Sequence, residues 1–245
     1  MLYTAAGAHP APTLSDELGV SVPRQRFTLF TLLLFLAFLI FLPIFFSELM
    51  AGSLIKLHLT PDEAMAITIA IIVGGLINIP VGRIQLQQET VTDPMAIFGL
   101  SGFMPGMRRT SHDTIIAVNV GGCIIPTLLA IYELTHLNSG ALNAALIVAA
   151  INSVVCFSAA RVVSGVGIVI PGLIPPLVAA LGALIFARDQ AAPVAFIAGV
   201  AGPLIGADLF HLRDIKASPV GIASIGGAGT FDGIVLSGII AAYLA

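Results

Sequence analysis

Seven long apolar segments, at roughly 27–46, 62–80, 114–134, 141–160, 168–187, 192–212 and 223–244, constrain this chain more than any other feature. A membrane crossing needs about 20 mostly apolar residues, somewhat fewer where the segment is tilted or broken. With 58% hydrophobic and 9% charged residues, the chain has too little polar surface to dissolve seven such segments in water. A soluble domain carries about 25% charged residues. The expected fold is therefore all-α: a polytopic helical membrane protein with about seven transmembrane helices, some broken by Gly and Pro. Residues 1–26 are mixed, contain proline and lack a signal-peptide pattern, so they read as a cytosolic tail. Residues 27–245 read as a single transmembrane helical domain.

Local signals sharpen this outline. Thr60-Pro61-Asp62-Glu63 has the form of a helix start, with Thr at the cap, Pro in the first turn and Glu three residues on. Pro80 marks the end of that segment. The one long loop, 81–113, contains a weakly strand-like "RIQLQQETV" and a Gly/Pro-broken "SGFMPGMRR". No internal repeat is evident. Eight basic residues fall on one side of a seven-span arrangement (Arg24, Arg26, Arg83, Arg108, Arg109, Arg161, Arg213 and Lys216) and two on the other (Lys56 and Arg188). Cytoplasmic loops carry the excess of Lys and Arg, so the N-terminus is expected in the cytosol and the C-terminus outside. No basic patch points to nucleic acid. Cys123 and Cys156 lie in apolar stretches and read as packed small side chains.

Polar residues inside such segments are costly and usually face the bundle interior or a water-filled cavity. The orientation places Asn78, Asn119, Asn152, Asp208 and Asp232 in the cytosolic halves of their segments. "PGLIPP" (171–176) breaks a further segment at the same depth. The runs "AGVAGPLIGAD" (198–208) and "SIGGAG" (224–229), which include Gly227 and Gly229, allow two readings. They either pack helices closely or break a helix so that its backbone faces a cavity.

Asp208 and Asp232 lie 24 residues apart on consecutive segments joined by "HLRDIKASPVG", so they are expected side by side at similar depth. Two facing carboxyls titrate as a unit, and one can activate water while the other donates a proton. The alternatives are an ion or proton relay, or two acids that each hydrogen-bond a neighbour and only fix packing. His211 and Asp214 could join the two acids around a metal, but no recognised ligand spacing is present, so no metal or cofactor is expected. His211 reads rather as an interfacial residue. Arg161 reads as an anchor at the membrane surface that could pair with either Asp.

The motifs "NIPVGRI" (78–84), "AVNVGG" (117–122), "PGLIPP" (171–176), "GADL" (206–209) and "GGAGTFDGI" (226–234) together resemble an uncharacterised prokaryotic family of integral membrane proteins, over about residues 60–245. That resemblance implies a multi-pass protein of the prokaryotic cytoplasmic (inner) membrane and no particular activity. Asp208 followed by Gly227-Ala228-Gly229 and Asp232 is also similar to the GxGD intramembrane aspartyl proteases. This second resemblance implies that Asp208 and Asp232 are a catalytic pair cleaving a membrane-embedded peptide. Asn78, Asn119, Asn152, Gly227 and Gly229 would then orient the carboxylates or the substrate backbone. Membrane lipids are the other expected partners. A cation- or proton-coupled transporter or channel using the same two Asp, and a structural membrane protein without catalysis, are the rival readings.

Overall fold

The computed structural model of the protein describes residues 29–84, 114–163, 167–212, 214 and 222–245. The expected tail 1–26 and residues 85–113 of the expected loop lie outside the described residues. The chain divides into two units, Met1–Ile44 and Phe45–Ala245. In the first, the described residues are the opening of helix α1 (Leu29–Leu54), whose Leu and Phe side chains are largely exposed. The second unit holds the rest of α1, six more α-helices and two small sheets.

In chain order the second unit runs α2 (Pro61–Gly74), β1 (Asn78–Ile84), β2 (Thr114–Asn119), a π-helical turn (Val120–Ile124) and α3 (Ile125–His136). It continues α4 (Ser139–Ala159), β3 (Arg161–Val163), β4 (Gly167–Val169) and α5 (Ile174–Phe186). A 3-10 turn (Arg188–Gln190) leads into α6 (Ala191–Ala201), which passes into a π-helical stretch (Gly202–Leu209). After β5 (Ile222–Ile225) and a 3-10 turn (Gly229–Phe231), α7 (Gly233–Leu244) closes the chain.

Among the described residues, three helical runs are long and apolar enough to cross a membrane: Leu29–Leu54, Ser139–Ala159 and Arg188–Leu209. In the expected segments 62–80, 114–134, 168–187 and 223–244 an α-helix of 12 to 14 residues joins extended backbone. At about 1.5 Å per residue such a helix covers roughly 20 Å, short of a hydrocarbon core of about 30 Å. The reason is local. Thr114-Ile115-Ile116-Ala117-Val118 is nearly all β-branched, which suits a strand as well as it suits lipid. Pro80 has no amide hydrogen to donate and sits at a bulge between Pro80 and Gly82 in the β1–β2 pairing.

β1 pairs antiparallel with β2, setting Asn78 opposite Asn119, and β2 pairs parallel with β5. β3 and β4 form a separate hairpin. The order helix, extended segment, extended segment, helix recurs in α2–β1–β2–α3 and α4–β3–β4–α5, and α6–β5–α7 keeps part of it. No repeat is visible at the level of residues, because only the turn-back geometry is shared.

The packing is inside-out by the standards of a soluble protein. Ala64, Ala145, Ala179, Ala183, Ala195, Ala198, Ala241 and Ala242 are buried, while Leu146, Ile147, Leu177, Leu181 and Ile185 face outward. Small residues let helices approach closely, and large apolar ones favour lipid. In water an apolar surface of that extent would aggregate. α2 starts as its sequence demands. The Thr60 side chain accepts from the Glu63 N–H, and Glu63 reaches back to the Thr60 N–H at 2.8 Å. Thr60→Ala should therefore lower the unfolding free energy by about 1 kcal/mol. An unchanged unfolding midpoint in detergent would show that this cap contributes nothing.

Candidate functional site

Asp208 lies in the π-helical stretch that ends the α6 run. Asp232 is the N-cap of α7. Its Oδ1 accepts from the Ile234 N–H at 2.9 Å and its Oδ2 from the Ala228 N–H at 3.3 Å. The two acids lie within electrostatic range of each other, and both side chains are half-buried. The turn before Asp232 depends on glycine. Gly226 and Gly229 adopt φ values of +71° and +60°, which other L-residues rarely take.

A second polar group supports the same turn. Asn119 is fully buried, and its Nδ2 donates to the Gly75 carbonyl at 2.8 Å and to Asn78 Oδ1 at 3.1 Å. Its Oδ1 accepts from the Gly122 N–H at 2.7 Å, capping the π-helical turn. Ser224 Oγ donates to Asn78 Oδ1 at 2.6 Å. Asn78 and Asn119 thus tie β1, β2 and β5 together, and their hydrogen bonds go to backbone, to Ser224 and to each other. Gly227 sits against Ser224 and Gly229 against Gly75, so both belong to this junction.

Asn152 serves a different place. From α4 its Nδ2 donates to the Ala198 carbonyl at 2.8 Å, and the neighbouring Ser153 Oγ lies 3.5 Å from the Ala201 carbonyl. The Ala198 carbonyl also accepts from the Gly202 N–H, so Asn152 adds a second donor where α winding passes into π winding. Asn152 therefore braces the bend that carries Asp208. His211 is buried. Its Nδ1 bonds the Ala207 carbonyl at 2.9 Å and its ring lies 4.8 Å from that of Phe157. Since carbonyls only accept, that nitrogen carries the hydrogen. Asp214 is exposed. Arg161 is exposed and makes no ion pair among the described residues. Cys123 and Cys156 are buried free thiols, with Cys123 within electrostatic range of both acids.

One feature of the chain was not singled out by its sequence. Glu133, near the end of α3, is completely buried, and His58 Nδ1 bonds its Oε2 at 2.9 Å. The His58 backbone N–H also points at that carboxylate, 3.3 Å from Oε1. His136 stacks on His58 with ring centroids 5.5 Å apart. In the sequence Glu133 reads as a boundary residue at the end of an apolar segment. Only the spacing His58…Glu133…His136 could have hinted at more, and it matches no motif.

The family described as "Protein of unknown function (DUF1614)" matches residues 72–244. The chain belongs to that family. No curated protein and no solved structure matches it. The likeness to intramembrane aspartyl proteases finds no counterpart among these comparisons.

Proposed function

We propose that this member of the DUF1614 family is a multi-pass protein of a prokaryotic inner membrane, N-terminus in the cytosol, in which Asp208 and Asp232 act as a pair on a membrane-embedded peptide. The observation that carries this reading is that the two carboxylates, from different helical segments, lie within electrostatic range of each other. Their surroundings differ. Asp232 is held by two backbone amides at the start of a helix, and Asp208 sits within a π-helical stretch. Such a difference is what separates the base of a carboxyl pair from its acid. In the reaction one carboxylate takes a proton from water as the hydroxyl attacks the peptide carbonyl carbon. The protonated partner donates to the carbonyl oxygen. The first carboxyl then gives its proton to the leaving nitrogen as the C–N bond breaks, and the partner takes a proton back from the gem-diol hydroxyl as the carboxyl product forms, which restores the pair. Asn78, Asn119, Gly227 and Gly229 hold the turn before Asp232 in place, and Asn152 holds the bend under Asp208.

The test uses the full chain in proteoliposomes with a transmembrane peptide carrying a fluorophore and a quencher. Asp208→Asn and Asp232→Asn should each slow cleavage by about 100-fold or more, the usual weight of a general acid or base. Both variants should keep the wild-type unfolding midpoint. Cleavage that persists in either variant overturns the reading.

A second reading rests on the recurring helix–extended–helix units and on the two π-helical breaks, Val120–Ile124 and Gly202–Leu209. Broken helices and structural repeats are the architecture of many transporters. Under that reading the same substitutions abolish a pH-dependent ion flux in liposomes and no peptide is cut by the wild type.

A further inference from the structure

The two cations set apart in the sequence, Lys56 and Arg188, line one cavity of about 370 Å³, together with His58, Asp189, Gln190 and the start of α6. This cavity lies at the far end of the helices from the carboxylates. α7 starts at Asp232 and ends where Lys56 Nζ donates to the Tyr243 carbonyl at 2.6 Å. α3 likewise runs from the glycine junction to the Glu133–His58 pair. Twelve helical residues separate the two sites along α7, about 18 Å.

We propose that this cavity binds a phosphate-bearing anion. Four features point the same way. Neither Lys56 nor Arg188 is in an ion pair among the described residues, where the one ion pair is His58–Glu133. Neither charge is in contact with an acid there, and Lys56 Nζ is held by the Tyr243 carbonyl. The first turn of α6 opens on the cavity, and no side chain caps its N–H groups. Helix starts favour anions. His58 is held by a carboxylate that the protein buries completely, an expensive arrangement inside an apolar bundle unless the imidazole it positions has a task. The cavity is open to solvent and has room for a phosphate group. Asp189 is the opposing charge on the wall, and it sits in the turn that leads into α6, exposed and outside any ion pair. The anion is either free phosphate or the phosphate of a lipid headgroup, because both offer the same oxygens to Lys, Arg and His.

The test uses the purified full chain in nanodiscs of zwitterionic phosphatidylcholine. Inorganic phosphate is titrated in one arm, with chloride at matched ionic strength as control. Phosphatidylglycerol is added to the discs in the other, and retained lipid is counted by native mass spectrometry. Binding in the first arm identifies free phosphate and binding in the second a headgroup; either supports the proposal. Lys56→Gln and Arg188→Gln, both at exposed positions, should each weaken binding by about tenfold, the weight of one charge-assisted contact. Asp189→Asn should bind at least as tightly as the wild type. The proposal fails if neither probe binds beyond the chloride control, or if Lys56→Gln and Arg188→Gln bind as the wild type does.

Discussion

Gly122→Ala leaves little folded protein. A methyl at Gly122 would fall on the carbonyl group of Gly226, with the Gly226 carbonyl carbon at 2.8 Å. Reciprocally, a methyl at Gly226 would meet the carbonyl carbon of Gly122 at 2.6 Å and the nitrogen of Cys123 at 2.7 Å. These atoms are all backbone, so no side chain can swing aside. The two segments are also pinned. Asn119 Oδ1 holds the Gly122 N–H, and the Gly226 carbonyl accepts from the Gly229 N–H at 3.0 Å. Separating the crossing to admit one carbon would cost about 3 kcal/mol, at the upper end of overpacking effects, and would pull the turn away from Asp232. The check is the unfolding midpoint and the monodisperse fraction of purified protein in detergent. Gly172→Ala is the control, since nothing lies within 4 Å of a methyl there, and it should change stability by less than about 0.5 kcal/mol. A Gly122→Ala protein as stable as the wild type would show that the chains do not cross this closely.

That crossing also shows what the sequence could and could not reveal. The helical class, the apolar segments and the start of α2 were legible, since lipid demands long apolar runs and a capping box has a local cause. The segment 141–160 became α4 nearly residue for residue, because it is rich in Ala and Leu and contains neither Pro nor an internal β-branched run long enough to favour a strand. Hydropathy measures transfer into lipid and is blind to backbone dihedrals. Thr114–Val118 and Ile222–Ile225 are as apolar as the helices they adjoin, and they are extended. That Asn78 and Asn119 lie close together could be sketched from their depth in the chain. The partners of the three Asn could not. An amide satisfies backbone carbonyls as readily as carboxylates, and which it meets depends on helix breaks that no residue pattern announced. Glu133 was missed for a related reason. A single acid at the end of an apolar run looks solvated until the fold lays His58 over it.

Glu133 therefore gives the second large effect, on stability at the opposite end of the bundle from the glycine crossing. Glu133→Ala removes an acceptor that holds both the ring and the backbone N–H of His58, and it leaves a void in a site with no exposure. Breaking a buried pair by deleting one partner typically costs about 3–5 kcal/mol, because the other partner stays buried without its match. Here the cost falls toward the lower figure, since His58 is partly exposed and can turn to water. Replacing both partners tests the cause. If the loss in Glu133→Ala comes from a stranded His58, then His58→Leu with Glu133→Leu should recover at least half of it, as apolar pairs often match buried polar ones. Glu133→Gln keeps the volume and one acceptor, so it should fall between the wild type and Glu133→Ala. All four proteins are compared by unfolding midpoint in one detergent. Should Glu133→Ala lose less than about 1 kcal/mol, the carboxylate contributes no more than an ordinary surface contact. Its complete burial would then have to be explained by something other than its hold on His58.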